Sequence, residues 1–335
     1  MARKIFIVIL FLCITGVVFS QSKQNTMTKA DKNNPLLCNP QSGTCEVQDS
    51  MVADSVRINI SPSVTDKIRV VYFTDPICSS CWGIEPQLRK LKLEYGEVID
   101  VSYHMGGLLP DWSYNSGGIS KPSDVASHWD EASLHYDMPI DGDVWLEDPL
   151  SSSYPPSIAF KAARLQDKDK ALDFLRIIRE MVFLEKKNIT RLQYMSEAAS
   201  LAGLDTIRFK NDIEGRAVSL FEEDLQLART YGVRGFPTIF LEGKGGAREM
   251  VYGARPYAFY EVAVLKLAPN VVKQEYSKDW QFLFAKYSSL TVKEFAELSG
   301  MRRSECEAFL NNLVADGHLT RLTTKNGSIW RRTAK

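Results

Sequence analysis

The apolar positions change period along the chain, and that change divides it into units. Residues 68–73, IRVVYF, form an unbroken run of β-branched and aromatic side chains that stops at Pro76, the pattern of a buried strand. From 79 to 95 the apolar residues move to helical spacing, with Ile84, Leu88, Leu91 and Leu93 closed by Gly96; Pro86 sits early in that helix or kinks it. A second strand is expected over Val98 to Met105. Strand, helix, strand is a βαβ unit, and its right-handed crossover makes the two strands parallel neighbours. About 120 residues of mainly helical pattern follow, among them KALDFLRIIREMVFLEKK, TRLQYMSEAASLAG and AVSLFEEDLQLARTYG. A stretch that long is not a loop, so it reads as a helical subdomain inserted over about 115–232. Strand patterns return at 237–243 and 249–254 across a Gly-rich turn, and a helix runs from Tyr257 to Leu267.

After Pro269 the pattern starts again. Thr291 and Glu294 fit a capping box for VKEFAELSG, SECEAFLNNLVADG is a second helix, and a hairpin follows with Asn326–Gly327 at its turn. Helix, turn, helix, hairpin is the order of a small winged-helix-like unit over 275–335. Its basic residues Arg302, Arg303, Arg321, Lys325, Arg331 and Arg332 are of the type that meets nucleic-acid phosphates.

The N-terminus changes how these residues are read. Arg3 and Lys4 precede an apolar run from Ile5 to Phe19, with Val18 and Ser20 suited to cleavage before Gln21, so residues 1–20 read as a secretory signal. Export to the periplasm or cell envelope is the expected localisation, with no stable membrane span after cleavage, and it argues against nucleic acid as a partner. Acidic and basic residues balance at 41 each, which gives no global reason to expect a polyanionic partner. Residues 21–65 are polar, rich in Asn, Ser, Lys and Gln, and interrupted by LLCNPQSGTC, a leader with a small loop that a Cys38–Cys45 disulfide, structural or auxiliary, would close. Removing Cys13 with the signal leaves an odd number of cysteines.

The strongest chemical signal is TDPICSSCWG, at the junction of the first strand and helix. A disulfide is exchanged by a thiolate, so a working cysteine needs stabilised negative charge and access to solvent. Cys78 is expected at the helix N-terminus with a lowered pKa, as the attacking thiol, and Cys81, one turn on, as the resolving one. Ser79 and Ser80 between them carry no charge, so the lowering should be moderate. Asp75 would oppose the thiolate, cap the helix or relay a proton. Half of a zinc knuckle and an inert buried pair are the bland alternatives. Four zinc ligands are not spaced for that, since no second C-x-x-C or H-x-x-x-H occurs, so no metal and no dissociable cofactor is expected. In YGVRGFPTIF, Pro237 opens a strand; a cis bond there would turn Phe236 toward the pair. Trp82 and Tyr72 flank the pair as groove or core residues, His104 reads as packing or sheet-edge polar, and Cys306 shares a helix face with Phe309, Leu310 and Leu313 as core.

VYFTDPICSSCWGIEPQLRKLKLEYG, the inserted helices and GVRGFPTIF resemble the DsbA family of thiol-disulfide oxidoreductases, in the branch with Trp after the second cysteine (FrnE-like). DGDVWLEDPLSSSYPPSIAFKAARLQ, EKKNIT and the final NGSIWRR resemble, more closely, the YjbH-type ClpXP adaptors of that branch. The resemblance implies an α/β fold over 66–270: a thioredoxin-like sheet with an inserted helical subdomain, Cys78 and Cys81 as redox pair, and Pro237 as the cis-proline; beside it, Phe236, Pro237 and Trp82 are the expected substrate-binding residues. The expected function is an exported thiol-disulfide oxidoreductase or isomerase. Its partners would be proteins with thiols or disulfides, together with a redox partner; the alternative is a protein-binding adaptor in which turnover is secondary.

Overall fold

The computed structural model describes residues 38–39, 43–46, 67–113 and 121–333. The signal-like segment 1–20 and most of the leader lie outside the described residues. Two short strands, β1 (Cys38–Asn39) and β2 (Thr44–Glu46), belong to the leader. The domain proper begins with β3 (Ile68–Thr74), α1 (Ser79–Gly83), α2 (Glu85–Tyr95) and β4 (Ile99–Met105). The single helix expected over 79–95 is therefore two. Ile84 leaves helical geometry at φ −96°, ψ 3°, and α2 restarts with Pro86 in its first turn, where a missing N–H costs nothing.

Seven helices follow: α3 (Ser123–Tyr136), α4 (Val144–Glu147), α5 (Tyr154–Gln166), α6 (Lys168–Phe183), α7 (Leu192–Leu201), α8 (Thr206–Glu214) and α9 (Arg216–Thr230). The chain then returns through β5 (Gly235–Phe236), β6 (Thr238–Glu242), β7 (Arg248–Tyr252) and α10 (Tyr257–Leu267). The central sheet has the order β4-β3-β6-β7, with β3 and β4 parallel and the other pairs antiparallel. β3 is buried along nearly its whole length, which is why IRVVYF shows no alternation. Pro237 separates β5 from β6, and β5 pairs with the leader in a second small sheet, β1-β2-β5. This is an α/β fold of the thioredoxin type with a helical insertion.

The C-terminal residues form α11 (Trp280–Lys286), β8 (Ser289–Thr291), α12 (Val292–Ser299), α13 (Arg303–Ala315), β9 (Leu319–Thr324) and β10 (Gly327–Arg332), with sheet order β8-β10-β9. Thr291 and Glu294 close a capping box on α12. The same Glu294 carboxylate is fully buried and takes a bidentate pair from Arg176 on α6 at 2.9 and 3.0 Å, with Arg89 on α2 at 3.3 Å. Arg331 spans Glu180 and Glu185 at 2.8 and 2.9 Å, Lys325 reaches Asp130 and Asp143, and Arg303 pairs with Asp137. Three of the six basic residues singled out in the tail, Arg303, Lys325 and Arg331, thus face carboxylates of the main domain, which accounts for those three without phosphate. Cys306 is buried in the unit's own core and contacts the Arg302 carbonyl.

Candidate functional site

The end of β3 delivers Thr74 and Asp75 to the foot of α1, and α1 carries Ser79, Ser80, Cys81 and Trp82, all buried. Cys78 is the N-cap residue. Its own Sγ accepts from the Cys81 N–H at 3.1 Å, so the cap is a cysteine sulfur and Asp75 does not cap the helix. The Asp75 carboxylate instead accepts from the N–H groups of Ile77 (3.0 Å) and Leu108 (2.8 Å) and from the Ser153 hydroxyl (2.9 Å). Burial raises its pKa to about 6, against the hydrogen bonds that lower it.

Both cysteines are fully inaccessible. The expectation of a lowered pKa at Cys78 is corrected by this: burial pushes its thiol well up, and the neighbouring Cys81 and Asp75 charges add to the rise. α1 has only five residues, too short for a strong end field, and the leader strand excludes the water that a thiolate would need. Cys81 is the lowered thiol. Burial raises it too, but the Cys78 thiol, the Arg179 guanidinium, the Thr74 hydroxyl and the Asp75 N–H together reverse that. In this covered state the stabilised thiolate of the pair is therefore the inner one. Arg179 on α6 is the side chain that sequence reasoning missed. It is 1% exposed and binds Glu85 (2.6 Å), Thr74 Oγ1 (2.6 Å) and the Asp75 carbonyl (3.2 Å). Its signal was a charged residue breaking the apolar face of DFLRIIREMVF, a face shared with Arg176 and Glu180.

Trp82 does not line a groove. It is fully buried, stacks on Phe183 at 5.6 Å, donates to the Pro139 carbonyl at 3.0 Å, and lies under Arg176 at 4.3 Å. Its indole is part of the core that joins α1 to the helical insertion. Tyr72 is core as well and accepts from Thr74. His104 is held by Asp224 at 2.7 Å and Ser102 at 3.2 Å, and Lys161 pairs with the same Asp224 at 2.7 Å, a sheet-to-helix tie away from the cysteines.

The Phe236–Pro237 bond is cis. The Phe236 ring lies against Gly106, where a Cβ would come within 1.8 Å of it. The Phe236 backbone is paired antiparallel with the leader, Cys45 opposite Phe236 and Glu46 opposite Gly235. Cys45 is disulfide-bonded, and Cys38 is its register partner across β1 and β2. The Cys45 Sγ lies 3.5 Å from Cys78 Sγ and 3.5 Å from Ser80 Oγ, while Ser80 Oγ is 2.7 Å from the Tyr136 hydroxyl. The two buried sulfurs of Cys78 and Cys81 thus sit under a strand that carries a third. Among the described residues no cluster of side chains has the makings of a metal site, and no helix is long and apolar enough to cross a membrane.

Residues 72–262 match the family model described as thioredoxin. The chain is 32% identical over 308 residues to the ClpXP adapter protein SpxH of Halalkalibacterium halodurans, covering 90% of this chain and 99% of that protein. It is 28% identical over 269 residues to the SpxH of Bacillus subtilis, covering 79% of this chain and 89% of that one. Among solved structures, a putative protein disulfide isomerase from Nitrosomonas europaea superimposes with a TM-score of 0.52 at 21% identity, over 60% of this chain and 97% of that one. At that identity the likeness is one of fold.

Proposed function

The chain belongs to the thioredoxin family and, within it, to the family of the SpxH adapters, and from that premise we propose that it works as a protein-binding adaptor on a thioredoxin scaffold. The observation that carries this reading is the closure of the cysteine site. Cys78 and Cys81 are inaccessible, and the backbone edge beside Pro237 is occupied by the chain's own residues 44–46. A resting enzyme for disulfide exchange leaves that edge open to an incoming strand, whereas an adaptor does not need it. The C-terminal unit, docked through buried ion pairs, supports the same view by giving the molecule a broad fixed surface.

A second reading, thiol-disulfide exchange with client proteins, is favoured by one specific feature: the Arg179 guanidinium, the Thr74 hydroxyl and the Asp75 N–H converge on Cys81 and lower its pKa. On this reading Cys78 forms the mixed disulfide with a client once the leader has moved aside, and Cys81 resolves it.

We also propose export through residues 1–20, which makes the partner a protein of the periplasm or cell envelope that carries thiols or disulfides. The relatives are named for ClpXP. A reporter fused after residue 30 that remains in the cytosol would remove the export proposal and make ClpXP the partner to test first. The two functional readings separate with the full-length Cys78→Ser/Cys81→Ser variant in affinity capture from the compartment so identified. The adaptor reading expects the wild-type partners at unchanged yield. Loss of those partners, with Cys81→Ala instead trapping them as mixed disulfides, would replace it by the exchange reading.

A further inference from the structure

We propose that the leader strand is an internal substrate of the cysteine pair: Cys45, within its disulfide, is the sulfur that Cys78 attacks, so that residues 38–46 and Cys78/Cys81 form a two-disulfide relay in one chain. The inference rests on the reading that Cys78 and Cys81 exchange disulfides. It names their first partner.

Four independent placements lead to it. The Cys45 and Cys78 sulfurs are 3.5 Å apart, at the outer limit of the distance from which displacement begins. The pairing of β2 with β5 fixes the register with Cys45 opposite Phe236, and a slip by one residue would turn the Cys45 side chain to the opposite face. The strand is tied down at its other end, where the Ala254 N–H donates to the Gly43 carbonyl at 2.7 Å. Gly43 has φ +67°, and a Cβ there would lie 2.8 Å from the Ala254 nitrogen, so the turn fits only glycine. Ser80, finally, sets its hydroxyl 3.5 Å from the Cys45 sulfur with Tyr136 behind it.

The chemistry is that of ordinary exchange. Cys78 passes its proton to the Cys81 thiolate and attacks Cys45 Sγ, a Cys45–Cys78 bond forms, and the former partner sulfur of Cys45, which the register assigns to Cys38, leaves with the electron pair and takes that proton up from Cys81. The Cys81 thiolate then attacks Cys78 Sγ and expels Cys45 as a thiolate, to which the Ser80 hydroxyl donates. Cys78 and Cys81 end oxidised and the leader pair reduced. Two electrons have moved within the chain, the protons lost by one pair are gained by the other, and no external oxidant or reductant is consumed. The reverse sequence carries electrons from a reduced leader to an oxidised pair. Ser79 and Ser80 then have different roles, since Ser80 alone meets Cys45.

The test uses the full chain with Cys81→Ala, which stops the sequence at the first exchange. Non-reducing peptide mass spectrometry should find a Cys45–Cys78 linkage that disappears when Cys78→Ser is added. A wild-type chain, prepared with the leader oxidised and the pair reduced, should show alkylation moving from Cys78 and Cys81 to Cys38 and Cys45 with time. Gly43→Val should abolish the linkage and raise the reactivity of Cys78 toward glutathione about tenfold or more, the scale for release of an intramolecular competitor. If Cys78 forms a mixed disulfide with glutathione in every variant that retains it but never links to Cys45, and no label moves, the relay is wrong while the exchange reading stands. If Cys78 reacts with neither, both are wrong.

Discussion

Cys81 owes its lowered pKa first to the Cys78 thiol and then to the Arg179 guanidinium, the Thr74 hydroxyl and the Asp75 N–H. The guanidinium orients Thr74 as well as adding positive charge, and it is paired with Glu85. Arg179→Met is therefore expected to raise the Cys81 pKa by at least one unit, about 1.4 kcal/mol, read as a shift in the pH at which thiolate absorbance appears. It should also destabilise the fold by about 3–5 kcal/mol, because Glu85 loses its nearer partner and keeps only Arg89 at 3.8 Å. Asp75 makes an opposite kind of statement. Its folded pKa of about 6 lies above the ordinary aspartate value of 3.8, so between those values the folded chain holds a proton that the unfolded chain has released. Its share of the stability is complete below pH 3.8 and falls as pH rises through about 6, by about 3 kcal/mol in all. Denaturant titrations from pH 4 to 7 should show this decline in the wild type and not in Asp75→Ala; equal slopes would contradict the burial argument. At this scale the sequence disclosed where Cys78 and Cys81 stand at the start of α1 and the cis bond before Pro237, because spacing and local context define them. It did not disclose Arg179 or the coverage of Cys78, since both come from segments far away in the chain.

Elements were more legible than the way they meet. β3, β4, α10 and the α12 capping box follow from local periodicity and cap chemistry, and they stand within a residue or so of where those patterns put them. The pairing of β2 with β5 joins residues almost two hundred positions apart through backbone groups, which leave no periodicity to read. β8 has three residues and depends on β10 for its existence. The break between α1 and α2 carries a further consequence. Gly83 closes α1 against the Tyr136 ring, and a Cβ there would stand 2.6 Å from ring carbon Cγ. Gly83→Ala should push Tyr136 away from Ser80 at a cost of about 1–3 kcal/mol, with a measurable fall in Tm and, in the pair's neighbourhood, faster exchange of the Cys81 amide hydrogen. An unchanged Tm and amide would mean that Tyr136 yields freely. Gly106→Ala should be the harsher change, because the Phe236 ring it meets is anchored through β5.

Over the whole molecule, Trp82 and Arg176 connect the cysteine helix to the C-terminal unit. Arg176 lies over the indole and is also the bidentate partner of Glu294, a chain of contact from α1 through α6 to α12. Burial raises the Glu294 pKa, but Arg176 and Arg89 outweigh it and hold the carboxylate below its ordinary range. Its stabilisation is therefore whole above about pH 4.5 and is lost as pH falls through the depressed value. Glu294→Gln should cost about 3–5 kcal/mol at neutral pH, because two buried guanidinium groups lose the countercharge they share, Arg176 keeping Glu180 and Arg89 keeping Glu85. The loss should appear as a separate early transition of the C-terminal unit in calorimetry; a single unshifted transition would show that the ion pairs do not hold it. The strand laid over residues 235–236 has one more effect, which concerns molecules in numbers. While it is in place, the short edge beside Pro237 has its amide and carbonyl groups satisfied from within. Once it lifts, that edge is a template for any neighbouring strand, another copy of the chain included. Opening and self-association are then competing fates of one surface, and crowding of the open form sets how long it stays available to a client.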